Sequence, residues 1–233
     1  GGDEVVATCD YGIDVTAVSI QNEPFFTEPY ESAFYDNINL RETVRVVQRK
    51  LTTENLDTKL VISEDVGGVS DINRWKWFIN PTLNDLETKD ANLVIGTHWT
   101  NPNFMESQWS HIANSGFQSW YTELSGRPND WTGGIQTAYE LSDALTKANI
   151  SALFYWQFSD VPTVTAALMG YGIPNPKYHA LKHYYRYIRP GAERVETTTD
   201  NTGVYVSAFQ KADNGDDTAV LLNNLSEPAD VTL

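Results

Sequence analysis

Two glutamates stand at the ends of short β-favouring runs. Glu23 closes Ser19-Ile20-Gln21-Asn22-Glu23-Pro24, and Glu123 lies in Trp120-Tyr121-Thr122-Glu123-Leu124-Ser125-Gly126. A strand that stops at a carboxylate places that side chain at the strand's carboxyl end, where a parallel α/β barrel keeps its chemistry. Two such carboxylates from non-adjacent strands can face each other across one pocket, one giving a proton while the other attacks or activates water. That pairing is the one that cleaves glycosidic bonds.

The neighbours of the two acids fit the same chemistry. Asn22 can hold a sugar hydroxyl while a protonated Glu23 donates to the leaving oxygen. Glu123 reads as the nucleophile; its alternative, capping the next helix, is weakened because that helix is expected to begin only near Gly133. His98 and Trp99 end the strand between the two. The 4 histidines show no metal-ligand spacing, so His98 is expected to orient a substrate hydroxyl or a carboxylate, with no metal and no cofactor. Trp156, at the last strand end, and Tyr121 are candidate sugar contacts, since the apolar face of a pyranose suits a rigid aromatic ring. Glu64 and Asp65 also end a strand and are the rival carboxylates, though no aromatic residue precedes them.

Composition bounds the alternatives. A formal charge of −15 in 233 residues argues against a nucleic-acid partner, and the one basic stretch, Lys182, Arg186 and Arg189, is interspersed with tyrosines on a helix. The apolar runs are far shorter than the ~20 residues of a membrane-spanning helix. Cys9 is the single cysteine, so no internal disulfide can form.

The elements that must position these residues alternate. Strands are predicted at Asp14 to Ile20, Leu60 to Ser63, Leu93 to Gly96, Phe117 to Thr122 and Ala152 to Trp156. Helices are predicted at Glu31 to Thr52, around a core of Ile72 to Phe78, near Ser107 to Ala113, Gly134 to Ala148 and Lys177 to Ile188. Successive β-then-α units predict a parallel sheet with helical crossovers. No glycine-rich phosphate loop follows the first strand, and polar or aromatic residues collect after every strand, which favours a barrel over a doubly wound sheet. After Pro190-Gly191 the period changes: Val204 to Phe209 and Thr218 to Leu222, joined by Asp213-Asn214-Gly215-Asp216, predict a β-hairpin. The expected class is therefore α/β, a (β/α)8 TIM barrel with about five βα units present over 1–190, followed by part of a β-sandwich side domain over 191–233. Three barrel strands would be missing at the amino end, Val231-Thr232-Leu233 would be a strand cut short, and such a chain alone is expected to be inactive.

With these residues in view, the chain resembles glycoside hydrolase family 30. The resemblance rests on Asn22-Glu23-Pro24, on the Thr122-Glu123 strand, and above all on Tyr178-His179-Ala180-Leu181-Lys182-His183-Tyr184-Tyr185-Arg186-Tyr187-Ile188 running into Arg189-Pro190-Gly191-Ala192. It implies a retaining hydrolase of β-linked glycans with Glu23 as acid/base and Glu123 as nucleophile, at the fourth and seventh barrel strands, and Trp156 as the eighth-strand aromatic. Two departures stand out. Trp99-Thr100 occupies the place where many members carry a Tyr after the sixth-strand His. Gln157-Phe158-Ser159-Asp160 lacks the Arg of members that require a glucuronic-acid branch, so xylan, β-1,6-galactan and β-1,6-glucan all stay open. The implied protein is an extracellular or cell-envelope monomer acting on a polysaccharide or oligosaccharide, with no membrane partner. Two rivals remain: a non-catalytic glycan-binding fragment, and a barrel enzyme for phosphorylated metabolites, for which Gly133-Gly134 is the one hint.

Overall fold

The computed structural model describes residues 12–65, 71–89, 91–98, 102–211 and 217–232. Cys9, Trp99 and the hairpin turn at 213–216 lie outside the described residues. The chain divides into two compact units, Gly1–Leu124 with Ala148–Phe154, and Ser125–Lys147 with Tyr155–Leu233.

The first unit is built on a five-stranded sheet. Its strands follow chain order: β1 (Ala17–Ser19), β2 (Lys59–Asp65), β3 (Leu93–His98), β4 (Gln118–Leu124) and β5 (Ala152–Tyr155). The pairs β1/β2, β2/β3 and β3/β4 are parallel, and the arrangement fits part of a (β/α)8 barrel. Among the described residues the sheet is open, with β1 and β5 at its edges. Every residue of β3 is buried, as are Leu60, Val61 and Ile62 of β2. That accounts for continuous apolar runs rather than alternation, because a parallel sheet is covered on both faces.

Helices α1 (Asn37–Thr53), α2 (Ile72–Leu83) and α3 (Pro102–Ile112) supply the packing partners. Leu40, Val44 and Leu51 of α1 join Trp75, Phe78 and Ile79 of α2 and Phe104 and Ile112 of α3 in one core with Leu60, Ile62, Leu93 and Ile95. Helix α1 begins later than its periodicity suggested. Asp36 caps it by accepting from the Ile38 and Asn39 amides, while Tyr35 N–H is committed to Pro24 O. Helix α2 contains its expected core, Ile72 to Phe78, and continues through Pro81. Proline lacks the amide that would reach Trp77 O four residues back, and Asn37 Nδ2 donates to that carbonyl instead.

In the second unit, α4 (Trp131–Thr146) packs on α5 (Pro176–Tyr187). Gly133 and Gly134 are buried inside α4, where a Cβ would meet Pro128 O at 1.9 Å and Pro176 Cβ at 2.9 Å respectively. They serve close packing, which removes the hint of a phosphate loop. The predicted hairpin is present as β10 (Val204–Lys211) against β11 (Asp217–Asn223), with β9 (Ala192–Val195) on the other side of β10. Sequence reading missed β9 and a small sheet of β6 (Ser159–Asp160), β7 (Met169–Gly170) and β8 (Ile173–Pro174). Residues 231 and 232 are not in a strand, contrary to expectation.

Candidate active site

Glu23, Glu64, His98 and Glu123 all lie at or just beyond the carboxyl ends of β1 to β4. Past the end of β1 the chain stays stitched to β2, with Ile20 N–H donating to Val61 O and Glu23 N–H to Glu64 O, both at 3.1 Å. Two interruptions of register then aim the side chains. Between β2 and β3 the pairing jumps from Ser63/Gly96 to Asp65/Thr97, leaving Glu64 as the extra residue. Between β3 and β4 it moves from Thr97/Tyr121 to His98/Glu123, skipping Thr122. A bulge breaks strict alternation and so can turn a side chain to a face it would otherwise miss.

His98 is the hub, with 1% of its surface exposed. Its Nδ1 lies 3.0 Å from Glu23 Oε1 and 3.6 Å from Glu123 Oε2, and its Nε2 lies 2.9 Å from Glu64 Oε2. Glu23, His98 and Glu123 each offer an atom within 4.8 Å of the others. Burial disfavours a charged ring, but the hydrogen bond and charge of Glu64, the hydrogen bond of Glu23 and the charge of Glu123 outweigh it. The His98 pKa therefore sits above its ordinary value. Burial also raises the Glu123 carboxyl, with the charges of Glu64 and Glu28 adding to the effect and that of His98 offsetting it.

Sequence reasoning ranked Glu64 only as a rival, yet it is buried in the cluster. It also overlooked Glu28 and Tyr30. Glu28 shares a hydrogen bond with Glu23, which raises its pKa, and Tyr30 is raised by burial and by its hydrogen bond to Glu28. Their signal was position alone, in the segment that follows Glu23 and folds back through the Phe26 amide to Glu23 O and the Tyr35 amide to Pro24 O.

The other expected contacts fall variously. Asn22 is exposed beside Glu23. Tyr121 is corrected: at 1% exposure it belongs to the core and offers no face to a sugar, because the bulge at Thr122 gives the outward position to Glu123. Phe25, partly buried, packs on Phe78 at 4.3 Å and under Arg74. Trp156 lies in the second unit with 55% of its surface exposed, after β5. The helix after Glu123 is capped by Asp130, whose carboxylate accepts from Gly133 N–H, which frees Glu123 from that duty.

Comparison with known proteins bears on the same residues' setting. No family model matches the chain. A glucuronoxylanase of Bacillus subtilis is 20% identical over 212 residues, covering 87% of this chain and 46% of that protein. Among solved structures, a family 30 endoxylanase of Clostridium papyrosolvens superposes with a TM-score of 0.75 at 26% identity, over 94% of this chain and 53% of that one. In sequence and fold the chain is similar to members of glycoside hydrolase family 30. An endo-β1,6-glucanase shares the fold with a TM-score of 0.79 at 20% identity, over 97% of this chain and 55% of that one. The chain spans about half the length of the curated relatives it matches. Family 30 neighbours join a TIM barrel to a side domain, which is the class expected from the sequence.

Proposed function

We propose that the protein of which this chain is part hydrolyses β-linked polysaccharide with retention, using Glu23 as acid/base and Glu123 as nucleophile. The observation that carries this reading is the convergence of both carboxylates on His98 Nδ1, at 3.0 and 3.6 Å. Oxygens within 4.8 Å of each other suit the roughly 5–5.5 Å carboxyl separation of retaining sites and leave no room for the water that an inverting site holds between carboxyls ~6.5–9.5 Å apart. In the first step Glu123 attacks the anomeric carbon as Glu23 gives its proton to the departing oxygen. The sugar is then held as an ester on Glu123. In the second, Glu23 takes a proton from water, whose oxygen attacks the same carbon and restores Glu123. Asn22, exposed beside Glu23, is the residue assigned to hold a sugar hydroxyl.

The relatives are named as a glucuronoxylanase, a glucosylceramidase, an endoxylanase and an endo-β1,6-glucanase, and this chain's substrate is a β-glycan of the xylan, β-1,6-galactan or β-1,6-glucan type. The segment Gln157-Phe158-Ser159-Asp160 contains no basic residue, and Gln157 Nε2 is already donating to Asp160 Oδ2 at 2.7 Å. An acidic branch on the substrate is therefore not required. Residues 1–190 are assigned to the carboxyl-terminal portion of the barrel and 191–233 to part of the side domain. The protein acts as a monomer outside the cell or in its envelope, without membrane or nucleic-acid partners. No helix among the described residues is long and apolar enough to cross a membrane.

The test is release of reducing ends from xylan, β-1,6-galactan and β-1,6-glucan, with the first-formed anomer followed by proton NMR. The β-anomer appearing first is expected, and Glu23→Gln should lower the rate about 10²–10⁴-fold. The α-anomer appearing first would refute retention. Binding of these glycans without hydrolysis would leave the non-catalytic reading.

A further inference from the structure

Glu64 takes no part in the carboxylate pair, yet its backbone and side chain are both constrained, and it is buried in the cluster. Ser63 and Glu64 are successive non-glycine residues at positive φ, +80° and +42°. Such conformations cost about 1–3 kcal/mol each and persist only where the surroundings impose them. Here three contacts do so. Trp75 of α2, fully buried, donates Nε1–H to Ser63 Oγ at 2.8 Å. Glu64 O accepts the Glu23 amide. The Glu64 carboxylate leans across Gly96 of β3, where a Cβ would lie 2.8 Å from its Oε1. In a regular strand residue 64 would follow the alternation of β2; as the extra residue of a bulge it reaches His98 Nε2 instead.

We propose that Glu64 is a positioning residue for proton transfer: it accepts Nε2–H of His98 and, as the ring's negative partner, keeps Nδ1 protonated, so that Nδ1–H donates to Oε1 of Glu23 and Oε2 carries the proton toward the leaving oxygen. This rests on the reading of Glu23 as acid/base. The titratable groups facing the ring among the described residues are Glu64 from β2, Glu23 from the segment after β1 and Glu123 from β4, with Glu28 and Tyr30 behind Glu23. Their combined effect raises the ring's proton affinity despite burial.

Glu64→Gln separates charge from geometry, because the amide oxygen still accepts Nε2–H. The measurement is nitrogen-15 NMR titration of the 4 histidines, with His98 assigned by its substitution. The His98 midpoint is expected to fall by about one unit or more, a tenfold loss of proton affinity. The alkaline limb of kcat/KM should move down with it, and kcat should fall more than KM rises. An unmoved midpoint overturns the proposal. If Glu64→Gln loses its far-ultraviolet dichroism, Trp75→Phe removes only the donor to Ser63 Oγ and must lower the same midpoint; no shift there overturns it equally. The midpoint is read without substrate, so the two readings fail separately. A falling midpoint in a protein that hydrolyses no glycan would sink the hydrolase assignment, and full hydrolysis with an unmoved midpoint would sink the role of Glu64.

Discussion

Gly96→Ala tests whether the cluster is held as tightly as the geometry says. The added Cβ would stand 2.7 Å from Val61 Cγ1, 2.8 Å from Glu64 Oε1 and 3.2 Å from Glu64 Cδ. Ordinary contact lies near 3.5–4.0 Å, so two atoms must each give way by roughly 0.7 Å or more. Val61 is buried in β2 and paired to Val94, leaving it little room. The Glu64 carboxylate must then move, and a shift of that size stretches its 2.9 Å bond to His98 Nε2 beyond hydrogen-bonding range. Overpacking costs about 1–3 kcal/mol, and loss of a hydrogen bond to a charged group about 1.5–3 kcal/mol. Against these, alanine gains about 0.5–1 kcal/mol over glycine in a strand. The expected net loss is about 2–5 kcal/mol, a large share of the roughly 5–15 kcal/mol that stabilises a typical domain. Urea unfolding followed by far-ultraviolet dichroism would show it as a lower midpoint at unchanged slope. In a Glu64→Ala background the Gly96→Ala penalty should shrink, because only the Val61 overlap remains. A wild-type midpoint in Gly96→Ala, or an identical penalty in both backgrounds, would refute the reasoning.

Two further outcomes follow from the same contacts. Glu123 is raised above the ordinary 4.5 chiefly by burial, so the folded state binds its proton more tightly than the unfolded chain and its contribution to stability falls as pH rises through and above that value. Glu123→Gln should therefore raise the melting temperature at pH 7 while abolishing hydrolysis, and the gain should vanish at pH 3.5, which thermal melts at the two pH values would check. Lys177, fully buried in the second unit, donates Nζ–H to Arg127 O and Asn129 Oδ1, each at 2.7 Å, and to Thr165 O. Lys177→Met leaves those acceptors without that donor and should cost about 3 kcal/mol or more by denaturant titration; a loss below about 1 kcal/mol would show that other donors replace it.

Much of this arrangement was legible in the chain. The short β-favouring runs that stop at or near Glu23, Glu64, His98 and Glu123 announced strands, and their alternation with helical periods announced a parallel sheet. The Leu40, Val44 and Leu51 spacing announced α1, and the turn chemistry at 213–216 announced the pairing of β10 with β11. That α2 continues through Pro81 was not legible, because the carbonyl the proline leaves unmatched is satisfied by Asn37, a residue of another helix. Aromatic character alone marked Tyr121 as a sugar contact, and it carries no sign of that residue's burial beside the skipped Thr122.

The sequence by itself determined which side chains reach the carboxyl end of the sheet, since that depends only on where each strand stops. It could not determine how they meet. Whether Glu64 pairs with His98 turns on two left-handed residues held by Trp75, and whether Glu28 approaches Glu23 turns on a segment folded back by two backbone hydrogen bonds. Bulges and loop closures of this kind are fixed by contacts between residues distant along the chain, and local propensity carries no trace of them.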